Sequence, residues 1–191
     1  MMKKKKKDVE CLFKAIEQCF QRNNMSVPHK LAHIFRLWKT QNKKLTQLHH
    51  HPYLLSATGV RNLYYSGWDH IRSIHPSIRS NIVVAFSRAK FANNSLDYDW
   101  KSVAAGMDRK IVNILWHPRT HGDDEPYDNS EWSFLRFCRN VFAHYKKASR
   151  GSLPHHYDGV QRMLEHIYAN FDCILFETLF DIGHLDVVFG K

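Results

Sequence analysis

A chain of 191 residues with 43% hydrophobic and 13% aromatic side chains has the material for a packed core, which excludes wholesale disorder. Its apolar runs fall far short of the ~18 residues that a membrane-crossing helix needs, and Asp8, Glu10, Lys14 and Glu17 interrupt the stretch behind the basic start, so neither a spanning segment nor a signal-peptide core is expected. The formal charge of +10, half of it from the run Lys3–Lys7, points to an anionic partner, either nucleic acid or a phospholipid surface, and a cytoplasmic chain is expected, with a nuclear one also compatible.

The lysine run reads as a disordered tail. Behind it, Val9, Leu12, Phe13, Ile16, Cys19 and Phe20 form a helical stripe, and Leu31, Ile34, Phe35 and Trp38 repeat the pattern after Pro28. Phe35 and Trp38 read as exposed aromatics able to meet a second copy. The polar stretch Lys39–His51 marks a boundary between a helical extension, 1–50, and a main domain, 51–191; within it His49, His50 and His51 read as a loop. Ser56 fits the N-cap of a helix carrying Val60, Leu63, Tyr64, Gly67 and Ile71. Pro76 fits the first turn of the next. Asn93-Asn94-Ser95 reads as a loop, Asp108 as the cap of a helix with Ile111, Val112 and Leu115, and His117–Asn129 as a loop. Ser130 opens a strong helix to about Tyr145, Arg150–His156 breaks it, and Asp158–Leu179 is the longest periodic segment. Ile82-Val83-Val84 and Val187-Val188-Phe189 are β-prone but too short to build a sheet. The expected fold class is all-α, with roughly six helices.

Cys11, Cys19, Cys138 and Cys173 lie far apart with no CxxC pair, so a zinc ribbon or disulfide framework is not expected. All four sit in helix-like apolar patterns, which predicts buried thiols. His29 and His33 have the i, i+4 spacing of metal ligands but lack an HExxH motif, and helix surface and core edge is the expected reading. No metal, cofactor or nucleotide site is expected, since there is no glycine-rich phosphate loop either.

The chemically informative stretch is Ser130–Tyr145, SEWSFLRFCRNVFAHY. At about 100° per residue, Phe134, Cys138, Val141 and Tyr145 form an apolar stripe, while Arg136, Arg139, Asn140 and His144 fall on the opposite arc. Asn140 and His144 stack one turn apart. Arg139 lies about 140° round from His144, so a substrate or a second chain has to bring them together. Cleavage of a phosphodiester by its neighbouring 2′-hydroxyl needs a proton removed, a proton delivered to the leaving 5′-oxygen, and donors on the non-bridging oxygens. Histidine, arginine and asparagine supply such groups without a metal. A solvated helix face of ordinary basic composition is the other reading of the same spacing.

Arg139-Asn140-Val141-Phe142-Ala143-His144 also matches the RNxxxH signature of HEPN-superfamily ribonucleases, and FLRFCRNVFAHY resembles the active-site helix of the KEN ribonuclease domain. That domain follows the kinase in the inositol-requiring kinase/endoribonucleases of the unfolded-protein response and in ribonuclease L. His51-Pro52-Tyr53-Leu54-Leu55-Ser56 resembles the His-Pro-aromatic hinge after the kinase lobe. Arg61, Tyr64, Trp100, Leu153-Pro154 and the aromatic-rich segment Tyr157–Leu179 agree in order. The resemblance runs from His51 to Gly183, about two-thirds of the chain.

It implies a compact helical KEN/HEPN-like domain acting as a homodimer on RNA. His144 falls on the family's general acid, and Arg139 and Asn140 on its phosphate-binding and positioning pair. The family's general base is a tyrosine in the preceding loop. Tyr127 is the one tyrosine there, one residue nearer the helix than usual, and a loop anchor is its alternative reading. Some members carry lysines after the RN pair where this chain has Val141-Phe142-Ala143; Arg136 is a candidate to supplement the charge toward RNA. No HRD, DFG or kinase glycine loop is present, so any dimer here forms without kinase lobes. The competing expectation is a catalytically inactive RNA-binding or interaction module of the same fold.

Overall fold

The computed structural model describes residues 2–40, 45–88, 99–116, 126–145 and 156–190. Its elements are α1 (Met2–Arg22), α2 (His29–Thr40), α3 (Ala57–Ser73), α4 (Pro76–Arg88), α5 (Trp100–Ala105), α6 (Arg109–Trp116), α7 (Glu131–His144), α8 (His156–Ile167), α9 (Phe171–Asp181) and α10 (Leu185–Val188), with 3-10 turns at Leu45–His50 and Pro52–Leu54. The described residues contain no strand, and the all-α expectation holds. None of these helices is long and apolar enough to cross a membrane. The Asn93-Asn94-Ser95 loop, residues 117–125 of the expected acidic loop, and residues 150–155 of the expected break lie outside the described residues; His156 is already the first residue of α8.

The chain divides into two compact units, Met1–Leu48 and His49–Lys191. In the first, α1 starts at Met2, just ahead of the lysine run, so Lys3–Lys7 is helical rather than a disordered tail. Lysine is a good helix former, and the run continues directly into the amphipathic stripe that begins at Val9. Asn24 ends α1 in the left-handed conformation (φ 53°), and Met25 N–H returns to the Phe20 carbonyl at 2.9 Å, closing a Schellman-type turn. The Phe13 ring then meets Phe35 at 4.4 Å and Trp38 edge-on at 5.6 Å. Phe35 is therefore buried and Trp38 half-buried, not displayed. Cys11 and Cys19 face solvent, against the expectation of buried thiols, because α1 leaves that flank uncovered.

In the second unit the local cap chemistry sets the helix starts. Ser56 Oγ accepts from Gly59 N–H at 3.2 Å to open α3. Pro76 occupies the first position of α4, which absorbs Ile82-Val83-Val84. Asp108 Oδ1 accepts from Lys110 and Ile111 N–H at 2.8 and 3.1 Å ahead of α6. The histidine triplet is not a loop: His49 and His50 end a 3-10 turn, and buried His51 caps the next by accepting from Tyr53 N–H at 3.2 Å. His50 stacks on Phe189, just beyond α10, at 4.0 Å.

The periodic segment Asp158–Leu179 is not one helix. α8 stops at Ile167 and α9 starts at Phe171, with Asn170 left-handed between them (φ 60°). Asparagine tolerates that conformation, and the reversal lets Tyr168 and Phe171, 5.3 Å apart, both bury.

α7 sits at the centre, packed on α3, α4, α6 and α8. Trp100 on α5 is fully buried against Phe134 and Phe137 at 5.0 and 5.1 Å, and Phe134 meets Phe171 edge-on at 4.9 Å. Burying such a side chain contributes about 1.5–3 kcal/mol. This aromatic cluster fixes α7 in place and thereby positions the residues that it carries.

Candidate active site

The start of α7 is tied down by three neighbouring polar residues. Ser130 Oγ caps the helix by accepting from Ser133 N–H at 3.2 Å. Asp128 Oδ1 accepts from Ser130 N–H at 3.0 Å and also from the Ser130 hydroxyl, while Asp128 N–H donates to Ser133 Oγ at 3.2 Å. Partial burial pushes the Asp128 carboxyl upward, but the hydrogen bonds from Ser130 and Ser133 outweigh it and hold the group below the usual carboxylate range.

This tether holds Tyr127 against the core. Its ring makes edge contacts with Phe137 at 5.6 Å and Trp100 at 6.1 Å, and the residue is only 3% exposed. Asn140 donates its side-chain amide to Tyr127 Oη at 2.6 Å and accepts from Arg139 Nη1 at 3.0 Å. The Arg136 guanidinium lies 4.4 Å over the Tyr127 ring. Burial raises the phenol's pKa above its ordinary value; the hydrogen bond from Asn140 and the charges of Arg136 and Arg139 act against that without cancelling it.

His144 occupies the last turn of α7, half-buried and one turn beyond Asn140. Next to it, Tyr145 donates to Asp108 Oδ2 at 3.2 Å, which ties the end of α7 to the start of α6.

Tyr127, Arg136, Arg139 and Asn140 are thus brought together, but not on an open polar arc. α7 buries Ser133 to Cys138 and Asn140 to Phe142, so Arg136 and Asn140 are almost fully covered. The reason is Tyr127, whose segment folds over the face that helix geometry alone leaves to solvent. Arg136 is therefore covered by Tyr127 rather than displayed on an open helix face.

Two further helices bring residues that sequence reasoning did not assign to the site. Arg61 of α3 lies 4.5 Å over the Tyr65 ring and 5.2 Å from the Tyr157 ring of α8, and Arg139 approaches Tyr65 from α7 at 5.5 Å. All four side chains are half-buried. The available signal was the i, i+4 spacing of Arg61 and Tyr65 on one helix face. Burial raises the Tyr65 pKa, opposed by the charges of Arg61 and Arg139.

The donors gathered here are guanidinium, amide and phenol, with the His144 imidazole one turn further along α7. That set suits an oxyanion whose negative charge has to be held and whose leaving group has to be protonated. No protein-family model, no curated protein and no solved structure matches the chain.

Proposed function

We propose that the chain is a metal-independent endoribonuclease of the KEN/HEPN kind, acting as a homodimer. It would cut RNA through the strand's own 2′-hydroxyl, leaving 2′,3′-cyclic phosphate and 5′-hydroxyl ends. The observation that carries this reading is the hydrogen-bonded series Arg139–Asn140–Tyr127 on and beside α7, one turn before His144. In it Arg139 and Asn140 hold the non-bridging phosphate oxygens, and His144 protonates the departing 5′-oxygen. Tyr127 holds Asn140 in orientation. Its burial and raised pKa suit that anchoring role; taking the 2′-proton would require the ring to open toward the substrate.

A catalytically inactive RNA-binding module is the second reading, favoured by one observation: Asn140 and Tyr127 are 7% and 3% exposed. A labelled stem–loop RNA incubated with the full chain in EDTA separates the two. The nuclease reading expects cyclic-phosphate and 5′-hydroxyl products, lost by about 10²–10⁴-fold in His144→Ala. RNA bound with steep salt dependence but never cut, at any pH, establishes the second reading instead.

A further inference from the structure

Two arginines share one tyrosine. Arg61 from α3 and Arg139 from α7 both lie against the Tyr65 ring, at 4.5 and 5.5 Å, so their guanidinium carbons are within about 10 Å of each other. Like charges this close repel, and proteins usually relieve such pairs with a carboxylate. Among the described residues neither arginine makes an ion pair. Their neutral partners are few: Arg61 Nη1 donates to Asn62 Oδ1 at 3.3 Å and the Arg61 side chain also hydrogen-bonds the Tyr65 hydroxyl, while Arg139 Nη1 donates to Asn140 Oδ1 at 3.0 Å. The Nε–H of each is buried with no acceptor. The aromatic rings supply what holds the pair: Tyr65 beneath both guanidinium groups and Tyr157 beside Arg61. Among the described residues no carboxylate occupies either guanidinium fork, and such forks suit an external anion.

We infer that Arg61, set beside Arg139 on Tyr65, forms a second phosphate-binding position of the candidate active site, holding a backbone phosphate of single-stranded RNA next to the one that Arg139 and Asn140 engage. The inference rests on the ribonuclease reading for its direction, since it takes Arg139 as the link between the two positions. Half-buried Tyr65 and Tyr157 make the surroundings of the two arginines aromatic as well as basic, the combination that sites for single-stranded nucleic acid use. The site then spans three helices, α3, α7 and α8, and the strand it takes is unpaired where it crosses Tyr65.

The test is binding of a fluorescein-labelled single-stranded RNA carrying a 2′-deoxy residue at the cleavage position, followed by anisotropy across a salt series. Arg61→Gln is expected to weaken binding about tenfold and to reduce the slope of log affinity against log salt by about 0.7, the value of one phosphate contact on a single strand. Arg61→Met, which keeps the packing on Tyr65 while dropping the charge, should match it. Arg61→Lys should keep the slope and lose affinity a few-fold, because an ammonium lacks the planar fork. Circular dichroism confirms that each variant is folded. Wild-type affinity and slope in folded Arg61→Gln or Arg61→Met overturn the inference, as does binding to phosphatidylserine vesicles with none to RNA. A wild-type chain that binds RNA in an Arg61-dependent way yet yields no cyclic-phosphate ends overturns the nuclease reading and leaves the phosphate position standing.

Discussion

The side-chain amide of Asn140 donates to the Tyr127 hydroxyl across 2.6 Å inside the core. Neither residue is free to reorient without leaving a buried polar group unpaired. Tyr127→Phe removes the acceptor and should cost about 1–3 kcal/mol of stability. Asn140→Ala removes the donor. The double variant should cost less than the two singles combined, with a coupling of about 0.5–3 kcal/mol in urea denaturation. Strict additivity would show that the two groups do not act as a pair. In the RNA-cleavage assay, Tyr127→Phe should lower the rate while leaving the pH–rate profile in place. A profile that moves with this substitution assigns Tyr127 the proton instead.

Ser130 is the second point of leverage on the same helix. It caps α7 and links Asp128 to the helix start. Ser130→Ala should lose about 0.5–2 kcal/mol, and Ser130→Asn, another good cap, should recover most of it. Thermal melts of the three proteins decide this; equal melting points for serine and alanine would remove the cap from the account.

Gly67 lies within α3 facing α9. A methyl group built there would meet Leu175 at 3.5 Å and Leu179 at 3.7 Å, which is ordinary contact. Gly67→Ala should therefore stabilise the chain by about 0.5–1 kcal/mol through the helix backbone, raising Tm by roughly 1–4 °C. A lowered Tm would mean that α3 and α9 approach more closely than these distances state.

His70 and His184 share a 2.6 Å nitrogen–nitrogen hydrogen bond between α3 and the start of α10. Burial, and then the charge on His184, hold the His70 pKa below its ordinary value. A histidine depressed on folding contributes its full stabilisation above the unfolded pKa of about 6.5 and loses it as pH falls through the folded value. The urea midpoint should accordingly decline below about pH 6.5, and less steeply in His184→Ala. Parallel declines in both proteins would assign the acid sensitivity elsewhere.

How much of this was legible in the sequence depended on the range of the interaction. Ser56, Pro76, Asp108 and Ser130 announce helix starts because capping involves residues only two or three positions apart. The break at Asn170 was hidden: the apolar period continues through it, and only the joint burial of Tyr168 and Phe171 demands the reversal. The candidate site divides the same way. Asn140 and His144 on one helix follow from spacing alone. The burial of Arg136 under Tyr127 does not, since a helical wheel assigns charges to water and cannot represent a loop folded over the helix. Arg61 was invisible as a partner of Arg139 because 78 positions separate them and only the packing of α3 on α7 closes that gap.

A site carried on a peripheral loop can be lost, borrowed or retuned while the scaffold stands. α7 offers no such independence, because the helix that presents Asn140 and His144 is also the one on which α3, α4, α6 and α8 assemble. On the ribonuclease reading proposed above, every substitution along it is judged twice, by folding and by chemistry. Descendants of this chain should explore new specificities at its flanks, on α3 and α8, long before they alter the beam between them.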